Sequence, residues 1–234
     1  MSTLNQKIQK ICEVYKDEIP NKIVLCCSGG SDSQVLLGSF PHVIRKIGNY
    51  EIHAVGVNHG LRPEADSELD LAESLADDFG VVFHRKRISI SHAKGESLQA
   101  IARNARYEVI RKVCDEIGTD FIVTAHHLKD KAETVLIRLL RNSNLNGLGV
   151  MDYMSQHTGL RIFRPMLDSS KEEIESYIKF RNIKYANDPS NENEDYLRVW
   201  VRNQLIPMLE TKSPNIQNEL VKISNEILGS RTKV

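Results

Sequence analysis

The apolar run Val24-Leu25-Cys26-Cys27 passes directly into Ser28-Gly29-Gly30-Ser31-Asp32-Ser33, and this junction constrains the chain more than any other stretch. A short apolar run with a β-branched residue reads as a buried strand. The mostly apolar segment 34–46 that follows reads as a helix. Strand, tight turn and helix aim the turn's amides and the helix N-terminus at one point, which favours an anion, phosphate above all. Gly29 and Gly30 let the backbone close around such a group, and Ser28, Ser31 and Ser33 add hydroxyl donors. Asp32 repels phosphate, so it is expected to support a magnesium ion or to orient the loop. The run has neither the Gly-Lys-Ser/Thr of a Walker loop nor the glycine spacing of a dinucleotide-binding turn.

The same alternation continues downstream. Strands are expected at 22–27, 51–57, 81–88 and 120–125, with helices at 64–79, 97–117 and 131–142 between or after them. A leading helix covers 3–19, a short strand 160–163, and helices 170–181, 194–209 (interrupted by Pro207) and 214–229 close the chain. Repeated strand–helix alternation predicts an α/β fold with a parallel sheet. Ligands of such sheets bind beyond the carboxyl ends of the strands. Three polar clusters fall there: the Ser28–Ser33 turn, Asn58-His59-Gly60-Leu61-Arg62 after the second strand, and His126-His127 after the fourth.

Bulk properties restrict function only loosely. Thirty-one acids balance thirty-one bases, so no global basic field announces a nucleic acid, although a local patch suffices for RNA. Arginines bunch at 103 and 106, 138 and 141, 161 and 164, and 198 and 202, a spacing that by itself describes solvated helix faces. No apolar stretch reaches membrane-spanning length, and the N-terminal residues lack an apolar leader core, so a cytoplasmic location is expected. Cys12, Cys26, Cys27 and Cys114 form no CxxC pair and are expected to be reduced, mostly buried thiols. Adjacent Cys26 and Cys27 face opposite sides of a strand and make poor joint ligands.

His126-His127 is followed by Asp130 and Glu133, which are three apart and share a helix face. Such a pair suits an ammonium group, although acids near a helix N-terminus also arise for the dipole alone. Zinc is the weaker expectation, since no third ligand accompanies the His-x3-Asp spacing.

These stretches together carry a resemblance. Ser28–Ser33 resembles the SGGxDS pyrophosphate loop of the PP-loop ATP pyrophosphatases. Within that group the chain is similar to the tRNA(Ile)-lysidine synthetases through Asn58–Arg62, Ala102-Arg103-Asn104-Ala105-Arg106-Tyr107, and Thr124-Ala125-His126-His127 with Asp130 and Ala132-Glu133-Thr134. The similarity continues in Arg164-Pro165-Met166-Leu167, Asp188-Pro189-Ser190-Asn191, Tyr196-Leu197-Arg198 and Arg202 with Ile206-Pro207. It implies a Rossmann-like PP-loop domain over 1–184 and a helical tail over 185–234; further tRNA-gripping domains of longer members lie outside this sequence. It implies ATP as co-substrate with Mg²⁺, L-lysine and a tRNA(Ile) with a CAU anticodon as partners, and oligomeric state is left open. The implied reaction adenylates the wobble cytidine at C2 and displaces AMP with the lysine ε-amine. Ser28, Gly29, Gly30, Ser31, Asp32, Ser33, His59 and Arg62 would then hold the nucleotide, and Asp32 the metal. Asp32, Arg106 and His126 would act at the reacting phosphate, and Asp130 and Glu133 would receive the lysine ammonium. Lys129 and Lys131 flank Asp130 and would repel that ammonium if they pointed inward. Two alternatives stay open: a cytidine-thiolating relative, against which the missing CxxC counts, and a nucleotide binder without ligase activity.

Overall fold

The computed structural model describes residues 2–58, 60, 65–88, 98–186 and 197–231, with backbone alone for 98–100 and 231. His59, Arg62, Asp188–Asn191 and Tyr196 lie outside the described residues. Six strands form one sheet: β1 (Lys22–Cys27), β2 (Glu51–Asn58), β3 (Val82–Arg87), β4 (Phe121–Val123), β5 (Met154–His157) and β6 (Leu160–Phe163), in the order β3-β2-β1-β4-β6-β5. All neighbours run parallel except β5, which pairs antiparallel with β6 at the edge. The parallel sheet expected from the strand–helix alternation is therefore present, with one added edge strand.

Both faces of the sheet are covered, as a parallel sheet requires. Ile23, Leu25 and Cys27 of β1 join one core layer with Val35, Leu36 and Phe40 of α2 (Ser31–Ile44). Leu4 and Ile8 of α1 (Thr3–Val14), Ala72 of α3 (Ala65–Asp78) and Ile174 of α6 (Lys171–Arg181) complete that layer. Val24 points the other way, onto Tyr107, Ile110 and Val113 of α4 (Leu98–Ile117), and Cys26 packs on that same side. The strand's period of two thus separates Cys26 from Cys27, as their adjacency predicts. Burial pushes the thiols of Cys26 and Cys114 up to about 12 and those of Cys12 and Cys27 further still. Truncating a side chain as enclosed as Leu25, which is 0 % exposed, would cost about 2–5 kcal/mol.

A third apolar cluster joins α5 (Leu128–Leu140) to the C-terminal elements. Ala132, Val135 and Leu136 of α5 meet Val201, Ile206, Leu220 and Val221. The expected helix over 194–209 is here α7 (Leu197–Trp200), a π-helical turn at Val201–Leu205, and α8 (Ile206–Glu210). A proline ring inside a helix clashes with the carbonyl four residues back, and the wider turn just ahead of Pro207 makes room for it. The last helix, α9 (Ile216–Arg231), lies along α5. No helix among the described residues is long and apolar enough to cross a membrane.

Candidate active site

β2 and β4 lie on opposite sides of β1, so the chain reverses its direction of travel across the sheet between β1 and β4. That reversal splays the loops leaving β1 and β4 and opens a crevice at their carboxyl ends. The turn 28–30 leaves β1 there and leads into α2, which starts at Ser31, three residues earlier than expected. Asp32 and Ser33 are therefore first-turn helical residues. Gly30 caps α2 with no side-chain hydrogen bond, which leaves the first-turn amides to a ligand.

The loop is held from several sides. Gly29 has φ +81°, and a Cβ there would sit 2.4 Å from the Glu68 carbonyl oxygen of α3. No other residue fits without moving that helix. Ser33 Oγ donates to Gly30 O at 2.9 Å and accepts from Ser28 N at 3.2 Å. Its hydroxyl thus closes the loop, whereas Ser31 Oγ faces outward to the Lys171 ammonium at 3.2 Å. Ala186 N donates to Gly29 O at 3.0 Å, so the stretch after α6 backs the loop.

Asp32 faces two basic groups. Lys171 Nζ, at the first position of α6, donates to its Oδ1 at 2.6 Å, and His127 Nε2 lies 3.5 Å from its Oδ2. Burial pushes the Asp32 carboxyl upward, but His127 and Lys171 hold it well below the usual carboxylate range. A lysine at a helix N-terminus opposes the helix dipole. Here Asp32 offsets it. Sequence reasoning missed Lys171, which comes from 139 residues downstream of Asp32; a cation at a helix start was the one available signal.

α5 begins at Leu128, with His127 as its cap: His127 Nδ1 accepts from Lys129 N at 3.3 Å, and Asp130 Oδ2 accepts from His127 N at 3.1 Å. An accepting Nδ1 leaves the ring proton on Nε2, toward Asp32. Asp130 therefore serves the helix start with one oxygen. Its other oxygen, Oδ1, accepts from Arg198 Nη2 at 3.0 Å. Glu133, 0 % exposed, accepts from Arg198 Nε at 2.9 Å and from Arg202 Nε and Nη2 at 2.6 and 3.0 Å. Asp130 and Glu133 do share a face, and α7 and the π turn supply both of their guanidinium partners. Burial pushes the Asp130 carboxyl up, and His127, His126 and Arg198 outweigh it and hold it low. Glu133 raises Arg202 further.

Of the flanking lysines, Lys131 turns away from the acids. Lys131 Nζ donates to Asn225 Oδ1 of α9 at 2.6 Å, and burial lowers it to about 8. A hydrogen bond with Ser170 chiefly holds the Glu172 carboxyl of α6 low, and Lys129 adds to it. The repulsion anticipated at Lys131 is avoided by its bond to Asn225.

His126 faces a different space. Its Nδ1 shares a 2.8 Å hydrogen bond with Thr124 Oγ1, and the ring lines a cavity of about 560 Å³ with Arg103, Arg138, Arg164 and Arg198. Burial pushes His126 down to about 4; Asp130 opposes this, and Arg164, Arg198 and Arg103 add to it, so the ring is neutral at pH 7. Arg106 is not among the cavity's lining residues. It lies near enough to Cys26 to act on that thiol, while Arg103, one turn earlier on α4, stacks its guanidinium 5.2 Å from the Tyr107 ring and reaches the cavity. No group of three or more His, Cys, Asp or Glu among the described residues is placed to hold a metal ion.

A glycine-hinged anion loop at the reversal of a parallel sheet, with an acid and two bases over it, defines a nucleotide-binding α/β protein. A family described as PP-loop domain matches residues 2–209, and the chain belongs to it. The chain is 34 % identical over 203 residues to a tRNA(Ile)-lysidine synthase of Haemophilus ducreyi, covering 87 % of this chain and 45 % of that protein. It is 39 % identical over 209 residues to the tRNA(Ile)-lysidine synthase of a Wolbachia from Brugia malayi, covering 88 % and 47 %. It thus spans about half the length of the curated relatives it matches. Among solved structures, the U34-tRNA thiolase NcsA of Methanococcus maripaludis, with its iron–sulfur cluster, superposes with a TM-score of 0.77 over 97 % of this chain and 78 % of that one, at 18 % identity. That likeness concerns the fold.

Proposed function

We propose that the chain carries the catalytic unit of a tRNA(Ile)-lysidine synthase. In that reaction the C2 oxygen of the anticodon wobble cytidine attacks the α-phosphorus of ATP and expels pyrophosphate. The ε-amine of L-lysine then attacks C2, forming the C–N bond, and AMP leaves with the former C2 oxygen. The observation that carries the proposal is the juxtaposition at the β1/β4 crevice of the Asp32–Lys171 pair with the Asp130–Glu133 pair, bridged by His127. One half suits a triphosphate and the other an ammonium group.

In this assignment the amides at the start of α2, with Gly29 and Gly30, hold the departing pyrophosphate, and Ser31 and Lys171 add a hydroxyl and a positive charge. Charge developing on a leaving group is best stabilised by such fixed donors. Asp32 is the acid within the 28–33 loop sequence and is 35 % exposed, which suits magnesium that arrives on the nucleotide and keeps waters and phosphate oxygens as its other ligands. When bound, the ion would neutralise the triphosphate. His126, neutral at pH 7, is assigned to the α-phosphate side, with Arg103 taking the place expected for Arg106. Asp130 and Glu133 receive the lysine ammonium. His59 and Arg62 remain assigned to the nucleotide by resemblance, outside the described residues.

Thiolation has less support. Its cluster or persulfide chemistry needs accessible paired cysteines, and the four cysteines here are free, packed into the apolar core on α1, β1 and α4, and have raised thiols. The deciding experiment supplies ATP, Mg²⁺, lysine and unmodified tRNA(Ile) and measures AMP release with and without lysine. Dependence on both lysine and tRNA supports the assignment; AMP release indifferent to lysine removes it.

A further inference from the structure

The cavity beside His126 has no carboxylate among its lining residues and four arginines: 103, 138, 164 and 198. Arg164 is 8 % exposed; its Nη1 donates to Asp152 O and Ser155 Oγ, both at 2.9 Å, and its Nε has no partner among the described residues. Burial lowers Arg164, so its charge is held at a cost that an anion in the cavity would offset. Arg138 and Arg103 are exposed at the cavity wall.

Arg198 belongs to two sites at once. It lines this cavity, and it bridges Asp130 and Glu133. Among the described residues, three carboxylates around the crevice (Asp32, Asp130, Glu133) face three cations (Lys171, Arg198, Arg202). The acid pair is thus already neutralised, and an arriving lysine ammonium would be a cation in excess. Arg202 grips Glu133 through two nitrogens and lies 3.7 Å from Asp130, whereas Arg198 makes one hydrogen bond to each acid, is 39 % exposed and is the one of the two that lines the cavity. Arg198 is therefore the group that has to leave, and the arginine-lined cavity is where an anion could receive it.

We propose that the cavity binds a phosphodiester of the polynucleotide, and that its occupation draws Arg198 off Asp130 and Glu133 and opens the acid pair to lysine. The inference rests on the assignment of those two acids to the ammonium. It makes the order of binding a property of one side chain: RNA first, amine second. Two ligands that share one movable charge must affect each other's affinity by the same factor.

The test is lysine binding by calorimetry to the whole chain in three states: alone, with a non-hydrolysable ATP analogue, and with an unmodified CAU anticodon stem-loop. The stem-loop is expected to tighten lysine by about ten-fold, and lysine to tighten the stem-loop equally. The ATP analogue alone is expected to leave lysine affinity unchanged. R198M should bind lysine without RNA as tightly as the RNA-loaded wild type, and R198K, which cannot bridge both acids, should fall between. Equal lysine affinity with and without RNA in the wild type overturns the inference. An ATP analogue that produces the whole effect gives the cavity to the nucleotide and overturns it as well. Lysine binding in no state instead removes the ammonium assignment on which it rests.

Discussion

Glu133→Gln separates a structural from a purely substrate-binding role for the acid pair. The amide keeps the volume of the side chain and removes its charge. In the native protein this fully buried carboxylate accepts three hydrogen bonds from two guanidinium groups. Removing one partner of a buried ion pair costs about 3–5 kcal/mol, because it strands the other charge. Arg198 and Arg202 are 39 % and 30 % exposed and retain Asp130 at 3.0 and 3.7 Å, so water and the second acid relieve part of that penalty. We expect a loss of about 2 kcal/mol after that discount. The loss should be local, since the arginines and the Val201–Ile206 contacts together fasten the C-terminal elements to α5. Urea unfolding followed by circular dichroism gives the total, and limited proteolysis reports whether the tail releases first. A double-mutant cycle with Arg202→Met should show a coupling of roughly 1–2 kcal/mol. If Glu133→Gln unfolds within about 0.5 kcal/mol of the wild type, the range of an ordinary surface change, the anchoring role is wrong.

Asp32→Asn should lower AMP formation by about 100-fold or more while the fold persists, and near-normal turnover would contradict its place at the phosphates. Lys171→Met should raise the KM for ATP about ten-fold, as expected for a lost charged contact to phosphate, and leave that for lysine nearly unchanged; Arg at 171 should restore part of the loss, and equal effects on both substrates would mean that Lys171 is only structural. Lys131→Met should stabilise the protein at pH 7. Its ammonium falls from 10.5 to about 8 on folding, so the unfolded chain binds more protons between those values and stability rises with pH across that window. The burial penalty is complete below about pH 8 and reaches about 3 kcal/mol, of which the lost Asn225 hydrogen bond takes back roughly 1 kcal/mol. Urea midpoints at pH 7 and pH 10 should show the gain shrinking at the higher pH; a gain independent of pH would contradict the burial argument.

β1, β2 and β4 were legible because they are apolar runs closed by turns, and the crevice because the Ser28–Ser33 and His126-His127 clusters follow strand ends. β5 was not. Met154-Ser155-Gln156-His157 is polar, and it is held as a strand only by its hairpin to β6. Its signal was the Thr158-Gly159 turn, both residues having positive φ, a two-residue hairpin loop. The interruption of the helix over 194–209 was legible at Pro207, whereas the π turn at Val201–Leu205 that precedes it is shown by no periodicity. Within the site, the local pair Asp130 and Glu133 could be read from their spacing. Their partners Arg198 and Arg202, and Lys171 over Asp32, come from distant segments and belong to tertiary packing alone. Arg103 and Arg106 lie one turn apart on α4, and helical spacing alone does not show that Arg103 lines the cavity beside His126.

The most direct measurement follows labelled lysine into tRNA. The purified chain is incubated with ATP, Mg²⁺, labelled lysine and unmodified tRNA(Ile) bearing a CAU anticodon, and both label in the RNA and AMP are recorded. Label appearing in the tRNA in step with AMP, and absent when the wobble cytidine is replaced by uridine, is the predicted result. AMP formed with no label in the RNA, under conditions where the chain binds both ATP and tRNA, would contradict the assignment of the acid pair and with it the ligase.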